Sequence, residues 1–174
     1  MFISFQATTG NANFGYINEY NLSTPYDIST HTYAGDDERC DLDVEAGAAG
    51  VDPKTIGDLA ISTDGLKVFF VRRSTNGANP DMDRLYRYDL TTPYDISTCF
   101  YVEDINPDTD ALALGSTAVG DRGDVTRNHV QGVEINPDGT KIFLTFNDAS
   151  GTKDGLKEFT PVSYTHLRAH ETSL

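Results

Sequence analysis

The chain has 174 residues, of which 27 are acidic and 13 basic, so its formal net charge is −14. This balance argues against a nucleic acid or an anionic membrane surface as the partner, because both need clustered Lys and Arg side chains. No apolar run approaches the ~20 residues of a membrane-spanning helix. Two cysteines are too few for a disulfide scaffold, and the length predicts one ordinary domain.

The first predicted unit in chain order is a pair of strands around a proline turn, at residues 20–30. Its sequence YNLSTPYDIST returns at residues 88–98 with nine of eleven positions identical. In the first copy Pro25 fixes φ at the second position of a turn, and Asp27 can accept hydrogen bonds from nearby backbone amides. Aromatic and β-branched residues flank the turn, so each copy predicts two antiparallel strands.

A second motif, at residues 56–71, returns more loosely at residues 130–145. In both copies an Asp-Gly pair separates two apolar runs, and Gly65 and Gly139 can supply the positive φ of a tight hairpin. The second apolar run is nearly continuous, which predicts strands that are covered on both faces. Because the two motifs alternate, one full repeat is predicted to contain four antiparallel strands.

The alternating motifs resemble the repeats of WD-like and YVTN-like β-propeller proteins. In those repeats a hairpin of the pattern S-P-D-G-x-K-[VIM]-[FY]-[VL] precedes a second hairpin that starts with an [IL]-x-x-[YF]-[DN]-L strand. Residues 136–143 match the first pattern well, whereas residues 63–69 lack its proline, and the chain has neither a Trp-Asp nor a Gly-His pair. The resemblance implies an all-β fold, a fragment of a β-propeller built from four-stranded antiparallel blades.

Aligning the repeats predicts that the chain is a fragment of a longer reading frame, which begins and ends inside blades. Residues 162–172 resemble a translated sequencing adapter, so His166 and His170 are given no functional role. The predicted segments are a partial blade (1–34), an acidic insertion loop (35–55), a blade core (56–105), a second insertion loop (106–129), a partial blade (130–161) and a non-native tail (162–174). Both insertions are predicted to emerge at one rim, and insertions that share a face often mark a binding surface.

The first insertion contains the candidate metal ligands that the sequence favours, and Asp108 and Asp110 in the second insertion suggest the same chemistry more weakly. Carboxylates at Asp41, Asp43 and Glu45 have the alternate spacing with which a loop can wrap Ca²⁺ in oxygen ligands. An EF-hand loop would place Gly and Glu where this chain has Ala46 and Asp52, so a solvated acidic loop is the alternative. The sequence predicts no cofactor, and calcium is the one alternative that its residues suggest.

The cysteines, histidines and tyrosines each have a structural interpretation. Cys40 lies in a predicted loop and Cys99 at the start of a predicted strand, so we expect two free thiols, with Cys99 buried, rather than the single possible disulfide. His31 and His129 have no Ser, Cys or paired carboxylates at a catalytic spacing. Tyrosines that recur in register are expected to pack between blades, with sugar stacking as the alternative.

Two classes of function are consistent with this pattern. The first is a non-catalytic scaffold that binds a protein, glycan or surface ligand through its rim loops, together with the missing blades of its own chain, in an extracellular, periplasmic or cell-surface setting. The alternative is a propeller enzyme that hydrolyses sugars or lactones, with carboxylates converging from the innermost strand of each blade. Asp58 is the only carboxylate at the start of the two predicted inner strands, and its counterpart is Gly132. This favours the scaffold, so no catalytic residue is predicted.

Overall fold

The computed structural model describes residues 2–5, 15–42, 56–72, 84–105, 117–119, 128–137, 140–148 and 155–159. In these ranges the fold is all-β, as predicted, with twelve strands in three four-stranded antiparallel sheets. None of the described sheets closes on itself. The short 3-10 helices in these ranges are not long and apolar enough to cross a membrane.

Each sheet is assembled mainly from strands that are close in sequence. Sheet 1 contains β1 (Phe2–Phe5), β2 (Tyr16–Leu22), β3 (His31–Tyr33) and β4 (Arg39–Asp41), with β3 and β4 both pairing with β2. Sheet 2 is a meander of β5 (Ile56–Ile61), β6 (Lys67–Arg72), β7 (Arg84–Leu90) and β8 (Cys99–Ile105). Sheet 3 contains β9 (Thr117–Val119), β10 (Asn128–Ile135), β11 (Ile142–Asp148) and β12 (Gly155–Phe159) in the order β10-β11-β12-β9.

The proline turns form as the sequence predicts. Oδ1 of Asp27 accepts a hydrogen bond from the Ser29 amide at 3.0 Å, and Oδ1 of Asp95 accepts one from the Ser97 amide at 3.2 Å. Each aspartate caps a 3-10 turn that leads into the return strand. A side chain that satisfies the first amides of the turn fixes where the strand reverses, so the two hairpins share one register.

The Asp-Gly hairpin of sheet 2 is closed by a tyrosine from the neighbouring proline turn. Gly65 has φ +70°, and a Cβ added there would lie 2.5 Å from the Tyr94 ring. The Tyr94 hydroxyl donates to the Thr63 carbonyl oxygen, and the Tyr94 backbone has a positive φ of 60°. Such a backbone is unfavourable for a bulky residue, but Tyr26, whose side chain is fully exposed, has it too (φ 63°), so the proline turn itself adopts this conformation. Gly139, the counterpart of Gly65, lies outside the described residues.

Sheet 2 is the middle layer and is covered on both faces, which confirms the prediction for its apolar strand β6. Val68 and Phe70 pack against sheet 1, whereas Phe69 and Val71 pack against sheet 3, and all four are at most 5% exposed. Phe70 also stacks on Tyr86 with ring centroids 4.9 Å apart. Full burial of an apolar side chain of this size stabilises the fold by about 1.5–3 kcal/mol.

A disulfide bond joins Cys40 to Cys99, with the Cα atoms 5.8 Å apart, so the expectation of two free thiols is wrong. The reason is that Cys40 does not lie in a loop. It lies in β4, which pairs with β2 and brings Cys40, 1% exposed, next to the 3-10 turn that Cys99 ends. The bond therefore links sheet 1 to sheet 2.

Removal of the disulfide is expected to destabilise the protein substantially. The two cysteines are 59 residues apart in sequence, and chain entropy for a loop of this length corresponds to about 4 kcal/mol. Urea unfolding followed by tyrosine fluorescence should show this loss in a Cys40→Ser, Cys99→Ser double variant. Dithiothreitol should lower the stability of the wild-type chain but leave the double variant unchanged. Equal stability of the two proteins under oxidising conditions would contradict the prediction.

Candidate functional site

Both insertions join sheet 2 at the same end. Ile56 pairs with Arg72, Arg72 pairs with Arg84, and Leu85 pairs with Ile105. The chain therefore enters β5 and leaves β8 at the same end of the strands, and we call this end of sheet 2 the insertion rim. Neither insertion is entirely a loop, because β4 belongs to the first and β9 to the second. Their remaining residues lie outside the described ranges.

Polar side chains of sheet 2 converge at the insertion rim. Nη1 of Arg84 lies 2.5 Å from Oδ2 of Asp104, and the Tyr101 hydroxyl donates to Oδ1 of the same carboxylate at 2.5 Å. Burial, together with this hydrogen bond to Asp104, raises the pKa of Tyr101. The hydroxyl is therefore neutral at physiological pH and acts as a donor. The Arg84 side chain is 35% exposed, so its guanidinium can also reach solvent or a ligand.

Arg72 and Tyr86 lie beside this group but are more deeply buried. Arg72 is 9% exposed and Tyr86 is fully buried, and among the described residues neither Arg72 Nε nor the Tyr86 hydroxyl has a partner with good hydrogen-bond geometry. Burial raises the pKa of Tyr86, although the nearby Arg72 guanidinium acts in the opposite direction. Arg72 and Arg84 occupy paired strand positions, so their charges repel each other, and Asp104 forms an ion pair with Arg84. Among the residues that the structure describes, the insertion rim thus places two arginines and two tyrosine hydroxyls near the Asp104 carboxylate.

Of these rim residues the sequence motifs singled out Tyr101, as one of the tyrosines that recur in register, but not Arg72, Arg84 or Asp104. The only available signal was the position of Arg72 and Arg84 on either side of the segment 73–83. Hairpin pairing of the flanking strands places such residues opposite each other. That signal could have indicated a cationic group at this end of the sheet, but it could not have predicted that Arg84 contacts Asp104.

Asp58, the carboxylate of the predicted inner strands, binds the neighbouring sheet. Its Oδ2 accepts a hydrogen bond from the Val133 amide at 3.0 Å, and its Oδ1 accepts one from the Leu59 amide at 2.9 Å. A Cβ added at Gly132 would lie 3.2 Å from Asp58 Oδ2 and 2.8 Å from Oγ1 of Thr145. A small residue at position 132 is therefore needed for this link between the inner strands of sheets 2 and 3.

A cleft of about 310 Å³ lies at the opposite end, between the hairpins of sheets 2 and 3. Ser62 Oγ donates to Asp64 Oδ1 at 2.6 Å, and Thr63 Oγ1 donates to the Pro137 carbonyl oxygen. Lys67 Nζ lies 3.7 Å from Asp64 Oδ2. The polar groups of this cleft are thus largely bonded to one another, so the cleft offers less to a ligand than the insertion rim does.

The predicted calcium ligands are only partly described. Asp41 lies in β4 and pairs with Tyr16, so its backbone is a strand and not a metal-binding loop. Asp43 and Glu45 lie outside the described residues. Among the residues that the structure describes, no group of three His, Cys, Asp or Glu side chains could hold a metal ion. Calcium binding by the acidic insertion stays a prediction.

Comparison with protein-family models, with curated proteins and with solved structures finds no match for this chain. The resemblance to propeller repeats therefore stays an interpretation of sequence motifs. The function of the protein is therefore inferred from the chemistry of its described residues, above all Asp58 and those of the insertion rim.

Replacement of Asp58 by Ala is expected to destabilise the fold, because it leaves the amide of the buried Val133 without an acceptor. An unsatisfied buried amide costs about 1–3 kcal/mol. Asp58→Asn is the matched control, since its amide oxygen can still accept the bond and its loss should be smaller. Urea unfolding of both variants measures the difference, and equal losses would count against the inter-sheet role.

The pKa of Asp64 is lowered, chiefly by the hydrogen bond from the Ser62 hydroxyl and then by the Leu66 amide. A carboxyl whose folded pKa lies below its unfolded value of 3.8 contributes stability that is complete above pH 3.8 and is lost as the pH falls through the folded pKa. Ser62→Ala should therefore raise the pKa of Asp64 and weaken the acid dependence of stability.

Carbon-13 NMR titration of the aspartate carboxyls can test this prediction. Asp27 supplies an internal control, because its pKa is lowered by the hydroxyl and amide of Ser29 and not by Ser62. In Ser62→Ala only the Asp64 titration should move, and in Ser29→Ala only that of Asp27 should move. An unchanged Asp64 curve in the first variant would show that the hydroxyl does not control this carboxyl.

Proposed function

We propose that this chain is a non-catalytic β-propeller repeat scaffold that binds a protein, glycan or surface ligand at its insertion rim. The observation that carries the proposal is the contrast between the inner strands and the rim. The carboxylate of Asp58 is occupied by the Leu59 and Val133 amides. Arg84 and its neighbours at the rim, in contrast, present partly exposed charged and hydrogen-bonding groups.

An oxidising setting is consistent with this function. The disulfide between Cys40 and Cys99 joins two sheets, and such bonds persist mainly in secreted, periplasmic or cell-surface proteins. We therefore place the scaffold outside the reducing cytosol. The net charge of −14 favours a soluble surface that resists self-association, and it makes the cationic group at the rim a local exception.

The proposal is tested with two named probes, an array of neutral and acidic oligosaccharides and a displayed random-peptide library. Arg84→Ala and Tyr101→Phe should weaken binding of any selected probe by roughly tenfold, because each removes a hydrogen-bonding group worth about 1.5 kcal/mol. Lys141→Ala is the control, since Lys141 forms a comparable ion pair with Glu158, at 2.6 Å, next to the hairpins and away from the insertion rim.

The propeller enzyme is the competing outcome of the same series. Hydrolysis of nitrophenyl glycosides or of a lactone by the wild-type chain, abolished in Asp58→Asn, would overturn the scaffold proposal. Absence of binding to both probe sets would also contradict it. Binding that Lys141→Ala weakens as much as Arg84→Ala would move the site away from the insertion rim.

A further inference from the structure

The sequence contains a single Asn-x-Ser/Thr triplet, Asn21-Leu22-Ser23. This triplet is the acceptor pattern for N-linked glycosylation in secreted proteins. Such a short pattern also occurs by chance, so its function depends on the structure around it. Asn21 is the last residue but one of β2, and Ser23 follows the strand at the start of the first proline turn. The triplet therefore lies where a strand meets a surface turn.

The acceptor asparagine and the serine of the triplet are both exposed in the folded chain. Ile17, four residues before Asn21 in β2, is fully buried against sheet 2. Because side chains alternate along a strand, Asn21 projects from the same face of sheet 1 as Ile17. The exposure of Asn21 therefore exists with sheet 2 in place, and it does not depend on what covers the opposite face of sheet 1.

The repeat copy in sheet 2 shows what this strand position does when it has a structural role. Asp89 is the counterpart of Asn21, and its carboxylate accepts hydrogen bonds from Arg87 Nε at 2.8 Å and from Arg87 Nη2 at 2.7 Å. In sheet 1 the counterpart of Arg87 is Glu19, so this ion pair cannot form. Among the residues that the structure describes, none forms a hydrogen bond with the Asn21 amide or the Ser23 hydroxyl. A glycan on Asn21 would therefore break no described contact.

Asn21 lies at the end of the strands that is far from the insertion rim. In sheet 2, Asp89 pairs with Lys67 beside the Asp-Gly hairpin, whereas Arg84 pairs with Arg72 at the rim. The repeat places Asn21 at the hairpin end of sheet 1 in the same way. A glycan at this position would leave the insertion rim open to its ligand.

We propose that Asn21 is a site of N-linked glycosylation. The donor is an oligosaccharide carried on a lipid pyrophosphate, and the catalyst is an oligosaccharyltransferase. The Asn21 amide nitrogen forms a bond to C1 of the first sugar, while the bond from C1 to the pyrophosphate oxygen breaks. The lipid pyrophosphate leaves with that electron pair, and the amide proton passes to a base of the transferase. The step needs no oxidant or reductant.

The inference goes beyond ligand binding at the rim, and it rests on the proposed setting outside the cytosol. The disulfide between Cys40 and Cys99 supports that setting, because such bonds form in the oxidising lumen of the secretory pathway. N-linked transfer takes place in the same lumen. The chain that acquires this disulfide during secretion would thus meet the transferase in the same compartment.

Expression of the full chain tests the proposal, with a cleavable leader that directs it to the secretory pathway of cultured animal cells. The wild type should carry one glycan, seen as a slower band on electrophoresis that peptide N-glycosidase removes. Glycosidase treatment in isotopically labelled water should leave a labelled aspartate where Asn21 stood, and mass spectrometry of the tryptic peptides identifies it.

Two substitutions should each abolish the modification. Asn21→Gln removes the acceptor amide, and Ser23→Ala keeps that amide but removes the hydroxyl of the triplet. Ser29→Ala is the matched control, since Ser29 is an exposed serine of the same turn that lies outside the triplet, and this variant should stay modified. Glutamine is preferred to aspartate at position 21, because Glu19 already lies near the carboxylates of Asp95 and Glu38.

The protein of the whole cell is analysed, so that a variant which is not secreted is still scored. An unmodified wild type, or a glycan that persists in Asn21→Gln or Ser23→Ala, would overturn the proposal. Binding at the insertion rim is measured separately, before and after glycosidase treatment, and it should not change. An unmodified chain that still binds a selected probe through Arg84 would overturn the glycosylation alone and leave the proposed function standing.

Discussion

The structure depends on the need to bury both faces of its middle sheet. Strand β6 is apolar at successive positions, so neither Val68 and Phe70 on one face nor Phe69 and Val71 on the other can be left in water. Sheets 1 and 3 meet this need from opposite sides, and each supplies its own buried cluster. Hydrogen bonds between sheets 2 and 3 accompany the apolar contacts. Asp58 accepts one from the Val133 amide, and Thr63 donates one to the carbonyl oxygen of Pro137, its counterpart in the repeat.

Much of this arrangement could be predicted from local patterns. The Asp-Gly pair and the proline turn each specify a hairpin through the backbone conformation of a few residues, so their alternation was enough to predict four-stranded units. The continuous apolar runs of β6 and β11 indicated cover on both faces. The structure confirms this for β6, whereas Phe143 in β11 is partly exposed. The turn signals succeed because they depend on sequence neighbours alone.

Features that depend on distant pairing could not be predicted in this way. In sheet 2 the return strand β8 pairs with β7 along its whole length, with a bulge near Val102. In sheet 1 the equivalent return strand is divided into β3 and β4 by a 3-10 turn at residues 36–38. The division disguised the strand that carries Cys40, so the disulfide was missed. Likewise, the contact of Arg84 with Asp104 arises only from the register of β7 on β8. The candidate rim site was therefore not visible from the sequence, although its general location was.

The disulfide also determines how the molecule would respond to tension. Residues between Cys40 and Cys99 lie inside a covalently closed loop, so a force applied outside the loop passes through the sulfur atoms and cannot extend the segment between them. The loop spans 59 residues and would otherwise lengthen by roughly 200 Å. Strands β5, β6 and β7 lie inside the loop and carry no load, whereas strands β1 to β3, most of β8 and sheet 3 lie outside it and are held by non-covalent contacts. A pulled chain would thus lose its outer strands while the segment between the two cysteines stays unextended.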